Sequence, residues 1–201
     1  MIEIYFGLPG SGKTTLACKL AKKALKEGKK VYADHSVCAI KGTYIAIPAL
    51  LGVYTLPPGS LLILDEASIE FNNRKQKMSD EQISWFKLSR HYGVDIVIFS
   101  QAYDDMDITL RRLASTLWHV RRCGPLSLIR RIRRSVGIDK TTHQIVDHYA
   151  FCSIFSKLLR LPVLRQMFMP VTPWYFLIRP VYYEMFDSWQ APKLPIYGSS
   201  E

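Results

Sequence analysis

Short apolar runs recur through the first half of the chain, with helix-like stretches between them. Ile2-Glu3-Ile4-Tyr5-Phe6 predicts a strand, and Thr15 to Glu27, rich in Ala, Leu and Lys, predicts a helix that Gly28 ends. Lys30 to Asp34 predicts a second strand, which makes a β-α-β unit and so a parallel sheet with right-handed crossovers. Between His35 and Leu56 the pattern is irregular: Ala46 to Leu51 suits a short helix and Pro57-Pro58-Gly59 a turn. Leu61-Leu62-Ile63-Leu64 is apolar at every position, as in a strand buried on both faces. Ser79-Asp80-Glu81-Gln82 is a capping box that opens a helix expected to reach about Tyr92, with Ile83, Phe86 and Arg90 in helical spacing and Gly93 as its left-handed stop. Asp95 to Ser100 predicts a fourth strand, Asp107 to Leu113 a short helix, and Leu117 to Val120 a further strand.

After the Gly124-Pro125 turn the period is ambiguous. Ile129, Ile132 and Val136 fit one face of a helix, and a twisted hairpin strand fits nearly as well. Phe151, Ile154, Phe155, Leu158 and Leu159 form an apolar helical face that Pro162 ends; it suits core packing, a membrane surface or a docking contact. Trp174 to Trp189 is dense in aromatics and reads as an extended segment or edge strand. The expected organisation is a core over 1–125 and a basic, aromatic C-terminal extension over 126–201 that completes or flanks it. The longest candidate membrane run, Gln166 to Ile178, is too short to span and is broken by Pro170 and Pro173, so no transmembrane helix is expected.

Chemistry concentrates where the predicted strands end. Gly7-Leu8-Pro9-Gly10-Ser11-Gly12-Lys13-Thr14 fits the phosphate-binding loop pattern, with a strand before it and a helix after it. Gly7, Pro9, Gly10, Ser11, Gly12, Lys13, Thr14 and Thr15 are therefore the expected ATP-binding residues, their backbone N–H groups and the helix N-terminus facing a polyphosphate. Lys13 is expected on the β- and γ-phosphates, and the Thr14 hydroxyl on Mg²⁺. Asp65 and Glu66 close an otherwise apolar strand, the Walker B pattern: Asp65 holds Mg²⁺, mostly through water, and Glu66 polarises the attacking water. Gln101 ends the fourth strand, either as a sensor between the γ-phosphate and water or as an ordinary strand-end amide.

Charge adds an anionic partner. The formal net charge is +10 with a pI of about 9.5, which suits nucleic acid or an acidic membrane face. Most of the excess lies in residues 111–140, where nine cations face Asp139 alone. Arg121, Arg122, Arg130, Arg131, Arg133 and Arg134 are the candidate DNA-phosphate contacts, the alternative being a solvated charged face. Arg111 and Arg112 are candidates for an arginine finger acting on a neighbouring subunit, the alternatives being the DNA surface or pairing with Asp104, Asp105 or Asp107. Cys18, Cys38, Cys123 and Cys152 form no C-x-x-C pair, so reduced thiols in a cytoplasm are expected rather than a zinc site.

Phe6 to Thr15, Leu64 to Ala67, Phe71-Asn72-Asn73-Arg74, Ser89 to Ile96 running into Ser100-Gln101, and Tyr183 to Ser188 together resemble the Zot-like (zonular occludens toxin) family of filamentous-phage ATPases, related to the FtsK/HerA class of DNA pumps. The resemblance covers residues 1–125 well and the end patchily. It implies an α/β, RecA-like P-loop NTPase, mainly a parallel sheet flanked by helices, that hydrolyses ATP in phage DNA export, packaging or assembly. It carries the P-loop and Walker B roles onto Lys13, Thr14, Asp65 and Glu66, and the pumps' strand-end glutamine role onto Gln101. A homo-oligomeric ring, DNA and phage structural proteins are the expected partners, in the host cytoplasm, at the inner face of the membrane or with a virion. Many members continue into a transmembrane helix and periplasmic tail; a soluble packaging or assembly ATPase is expected here, and toxin activity finds no support. Two rival readings stand beside this one: a P-loop kinase for a nucleotide or small metabolite, and a nucleotide-gated, membrane-associated assembly subunit with negligible turnover.

Overall fold

The computed structural model describes residues 1–34, 40–66, 71, 78–104, 106–138, 145–151 and 175–185. Among them nine strands form one sheet: β1 (Ile2–Phe6), β2 (Val31–Ala33), β3 (Thr43–Ile45), β4 (Leu61–Leu64), β5 (Asp95–Ser100), β6 (Thr116–Cys123), β7 (Leu126–Ile138), β8 (Ile145–Phe151) and β9 (Tyr175–Ile178). Their order is β3-β2-β4-β5-β1-β6-β7-β8, with β9 beside β7. Pairing is parallel from β3 through β6 and antiparallel beyond. The helices are α1 (Lys13–Lys26), α2 (Asp80–Leu88) and α3 (Ile108–Leu113).

The central strands are apolar on both faces because each face has its own cover. Tyr5, Leu61, Ile63, Val97 and Phe99 pack with Leu16, Ala17, Ala21 and Ala24 of α1. Ile2, Ile4, Leu62, Leu64, Ile96 and Ile98 pack on the other side with Trp85 and Phe86 of α2 and Leu110 of α3. The small residues of α1 let it lie close to the sheet. Its end is a Schellman turn, with Lys29 N–H donating to Ala24 O at 3.0 Å, Gly28 N–H to Leu25 O at 3.1 Å, and Gly28 at φ 75°.

Several elements depart from the sequence pattern. Thr43–Ile45 adds an unforeseen edge strand, and the helix expected over Ala46 to Leu51 is a single 3-10 turn, Pro48–Leu50, opened by its proline. The capping box at Ser79 is present in both directions, yet α2 stops at Leu88, where the Ser89 hydroxyl donates to Phe86 O and turns lead to Gly93 at φ 68°. Beyond Gly124 the hairpin strand wins over the helix. Ile129 pairs with Val120 and is fully buried on the α1 side, Ile132 turns to the other face, and Val136 is 65% exposed. The sheet therefore runs through the Gly124-Pro125 turn without a break, and β9, an edge strand as expected, lies along the first half of β7, whereas Pro180–Met185 beyond it is a 3-10 helix and not extended. Phe151 ends a strand not anticipated, and the rest of the amphipathic stretch to Leu159 lies outside the described residues. No described helix is long and apolar enough to cross a membrane.

His119 on β6 sits between the rings of Phe6 and Phe151, centroids 5.6 and 5.9 Å away, with Nδ1 buried and unpartnered. Burial, then Arg130 and Arg121, hold its pKa below the ordinary 6.5. As pH falls through 6.5, the unfolded chain binds a proton that the folded protein resists, so stability is full above that value and lost below it. Urea unfolding at about pH 7.5 and about pH 5.5 should show this loss, and His119→Gln should reduce it. An unchanged pH dependence in the variant would remove His119 as its source.

Candidate nucleotide and phosphate site

The parallel strands deliver their functional residues to one edge of the sheet. β1 ends in the loop Gly7 to Thr14, β2 in Asp34, β4 in Asp65-Glu66 and β5 in Gln101. Because β5 lies between β1 and β4, Gln101 emerges between the loop and the two acids. This is the position where open parallel sheets take ligands.

The loop is shaped by its glycines. Gly10 and Gly12 have φ of 72° and 94°, a region costly for other residues. A Cβ on Gly7 would collide with the Val120 carbonyl of β6, and one on Gly12 with Ser127 Oγ of β7 and, at 2.8 Å, with Arg179 Cδ. Lys13 is 7% exposed, and its ammonium donates to Gly7 O at 2.8 Å and Leu8 O at 3.1 Å. Burial lowers its pKa, while Asp65 and Glu66 oppose that shift. Those carbonyls keep the charge satisfied inside the loop a phosphate would fill. Ser11 Oγ is buried without a partner, a donor suited to an anion.

The acids are held from behind. Thr14 Oγ1 donates to Asp65 Oδ2 at 2.7 Å, so the two expected magnesium ligands already touch. Among the described residues no group of three or more His, Cys, Asp or Glu could hold a metal by itself. The pair, a hydroxyl beside a carboxylate, fits a hard cation that takes the rest of its shell from phosphate and water, as magnesium does. Asp65 N–H donates to the buried carboxylate of Asp34. Sequence reading missed Asp34; its signal was an acid at the end of the second parallel strand. Glu66 is the one non-glycine residue among those described with positive φ, 55°. That conformation costs about 1–2 kcal/mol and aims the carboxylate at Gln101, whose Nε2 donates to Glu66 Oε1 at 3.1 Å. Asn72, Asn73 and Arg74 lie outside the described residues.

The arginines do not form one surface. Strand register puts Arg121, Arg130 and Arg134 on the α3 side of the hairpin and Arg122, Arg131 and Arg133 on the α1 side. Arg134 makes a two-pronged pair with Asp147, at 3.0 and 2.9 Å, and Arg130 lies 3.8 Å over the Phe151 ring. Arg121, Arg122, Arg131 and Arg133 are exposed. Arg111 pairs with Asp104 at 3.1 Å and lies over Tyr103, whereas Arg112 is exposed. Both sit in the last turn of α3, just before Ser115 N–H bonds Ile2 O at the start of β1. The Arg111 guanidinium reaches back from there to Tyr103 and Asp104, which follow Gln101 in the chain, and Tyr103 packs on Phe6 at the end of β1. Sequence reading also missed Arg179, only 6% exposed, whose Nη1 donates to Gly10 O at 3.2 Å and whose Nη2 donates to Gly124 O.

Comparison with known proteins bears on the family and the fold. The profile of the family described as Zonular occludens toxin (Zot) matches residues 45–162, which begins after the loop, so the P-loop stands on its own geometry. A "Putative assembly protein ORF301" of Pseudomonas phage Pf3 is 30% identical over 131 residues, covering 61% of this chain and 43% of that protein; the chain spans less than half the length of this curated relative. The N-terminal domain of zonular occludens toxin from Neisseria meningitidis superposes with a TM-score of 0.54 at 20% identity, over 77% of this chain and 95% of that one, a likeness of fold. The genome packaging NTPase B204 from Sulfolobus turreted icosahedral virus 2, in complex with AMP, gives a TM-score of 0.48 at 16% identity, over 73% and 96% of the two chains. The match over more than half the chain, on a P-loop α/β sheet, places this protein in the Zot family.

Proposed function

We propose that the chain is a Mg²⁺-dependent ATPase of phage assembly that hydrolyses ATP to move or package DNA, acting as a ring. The observation that carries this reading is the Gln101–Glu66 hydrogen bond beside the Thr14–Asp65 contact. Thr14 and Asp65 would hold the magnesium and Lys13 the phosphates, and Gln101, bonded to Glu66, would hold that carboxylate to polarise the attacking water. A kinase needs no such carboxylate, because activating water would waste its ATP. The assembly role draws on the phage relative, which is named as an assembly protein.

Lys13→Ala should abolish tight ATP binding, whereas Glu66→Gln should bind ATP and hold it, with single-turnover hydrolysis slowed about 10²–10⁴-fold. A Glu66→Gln protein that hydrolyses at the wild-type rate would remove Glu66 as the base.

The exposed arginines are the DNA contacts in this reading. The log–log salt slope of duplex binding should shrink by about 0.9 for each of Arg121, Arg122, Arg131 and Arg133 replaced by Ala. Arg130 and Arg134, already engaged with Phe151 and Asp147, should change it less. Salt-independent binding would contradict this surface.

A ring completes each site from a neighbour. Arg112, exposed in the last turn of α3, suits that part better than Arg111, tied to Asp104. Mixing Lys13→Ala protein with Arg111→Ala/Arg112→Ala protein should restore activity that neither has alone, the arginine being worth about 10³–10⁵ in rate. If the double arginine variant hydrolyses ATP normally by itself, the finger lies elsewhere.

A further inference from the structure

The loop meets the hairpin beside it at several points. Gly7 abuts the Val120 carbonyl of β6. Ser127 Oγ of β7 donates to Ser11 O at 2.6 Å. Between these two contacts Arg179 forks its guanidinium, one nitrogen to Gly10 O in the loop and the other to Gly124 O at the hairpin turn. Arg179 is itself fixed: its N–H donates to Pro125 O at 3.2 Å, and its carbonyl accepts from Tyr182 N–H at 3.0 Å. Tyr182 packs against the core under α1. Two bonds from one planar, rigid group therefore tie a loop carbonyl to a turn carbonyl.

We infer that Arg179 is a positioning residue that transmits the state of the nucleotide loop to the tip of the β6–β7 hairpin. The inference rests on the reading of Gly7 to Thr14 as a nucleotide-binding loop. Lys13 donates to the Gly7 and Leu8 carbonyls. A phosphate that takes up the Lys13 ammonium would draw it off those carbonyls and so shift the loop between Gly7 and Ser11. Gly10 O lies within that segment, so its movement is passed through Arg179 to Gly124. Arg121 and Arg122 flank this turn on opposite faces, so ATP would reset the basic tip from inside the same subunit.

Cys123, exposed beside Gly124, reports the turn directly. Cys18 is buried, and burial, with Asp65 adding, pushes its thiol up to about 12, so it stays unreactive. The full chain with Cys38→Ser and Cys152→Ser, labelled at Cys123 with an environment-sensitive fluorophore, is titrated with ATP and Mg²⁺ while binding is followed separately by equilibrium dialysis. The parent should bind ATP and show a fluorescence shift. Arg179→Met should bind ATP and lose the shift, and Arg179→Lys, which keeps the charge without the fork, should recover only part of it. A parent that binds ATP with Cys123 silent overturns the inference whatever the variants do, as does a full shift in Arg179→Met. A parent that binds no ATP overturns the nucleotide-loop reading itself, and the inference falls with it.

Discussion

The P-loop has no room for side chains on the flank it presents to the β6–β7 hairpin. At Gly7 the obstacle is the Val120 carbonyl, and at Gly12 it is Ser127 and Arg179. The glycines thus serve two demands at once: left-handed backbone at Gly10 and Gly12, and close approach at Gly7 and Gly12. One consequence is that β6 and β7 are part of the nucleotide site's support. The hairpin that carries the exposed arginines is the wall against which the loop is built.

Electrostatics at the strand tips follow from the order of the sheet. β5 lies between β1 and β4, so Gln101 emerges between loop and acids and bonds Glu66. The acids are close enough to Lys13 to offset part of its burial penalty. Asp34 fixes the backbone of Asp65 from the neighbouring strand, and the strained turn at Glu66 directs its carboxylate to Gln101. A buried cation, two acids and a bent backbone are costly to bring together. They make sense as a site in which phosphate and a divalent cation complete the charge balance.

The parallel half of the fold was legible because its signals are local. The loop glycines, the all-apolar Leu61 to Leu64 run and the Ser79 capping box each encode geometry within a few residues. The meeting of Lys13, Thr14, Asp65, Glu66 and Gln101 at one edge was legible for the same reason, each ending or following a clear strand. The antiparallel half was harder, since Ile129 and Ile132 satisfy both helical and strand spacing and only pairing with Val120 and Leu117 decides between them. The division of the six arginines between two faces depends on that register. Arg179 had no local signal, because its partners, Gly10 and Gly124, are remote in sequence and meet it only when β9 pairs with β7.

The central claim is that Glu66, held by Gln101, turns water on ATP. The most direct measurement is inorganic phosphate release by the wild-type chain from ATP and Mg²⁺ in ¹⁸O-labelled water with no acceptor present. The account predicts sustained release of phosphate carrying the label from solvent. ATP that binds to the loop but yields no labelled phosphate, or yields it only when an acceptor molecule is supplied, would contradict it.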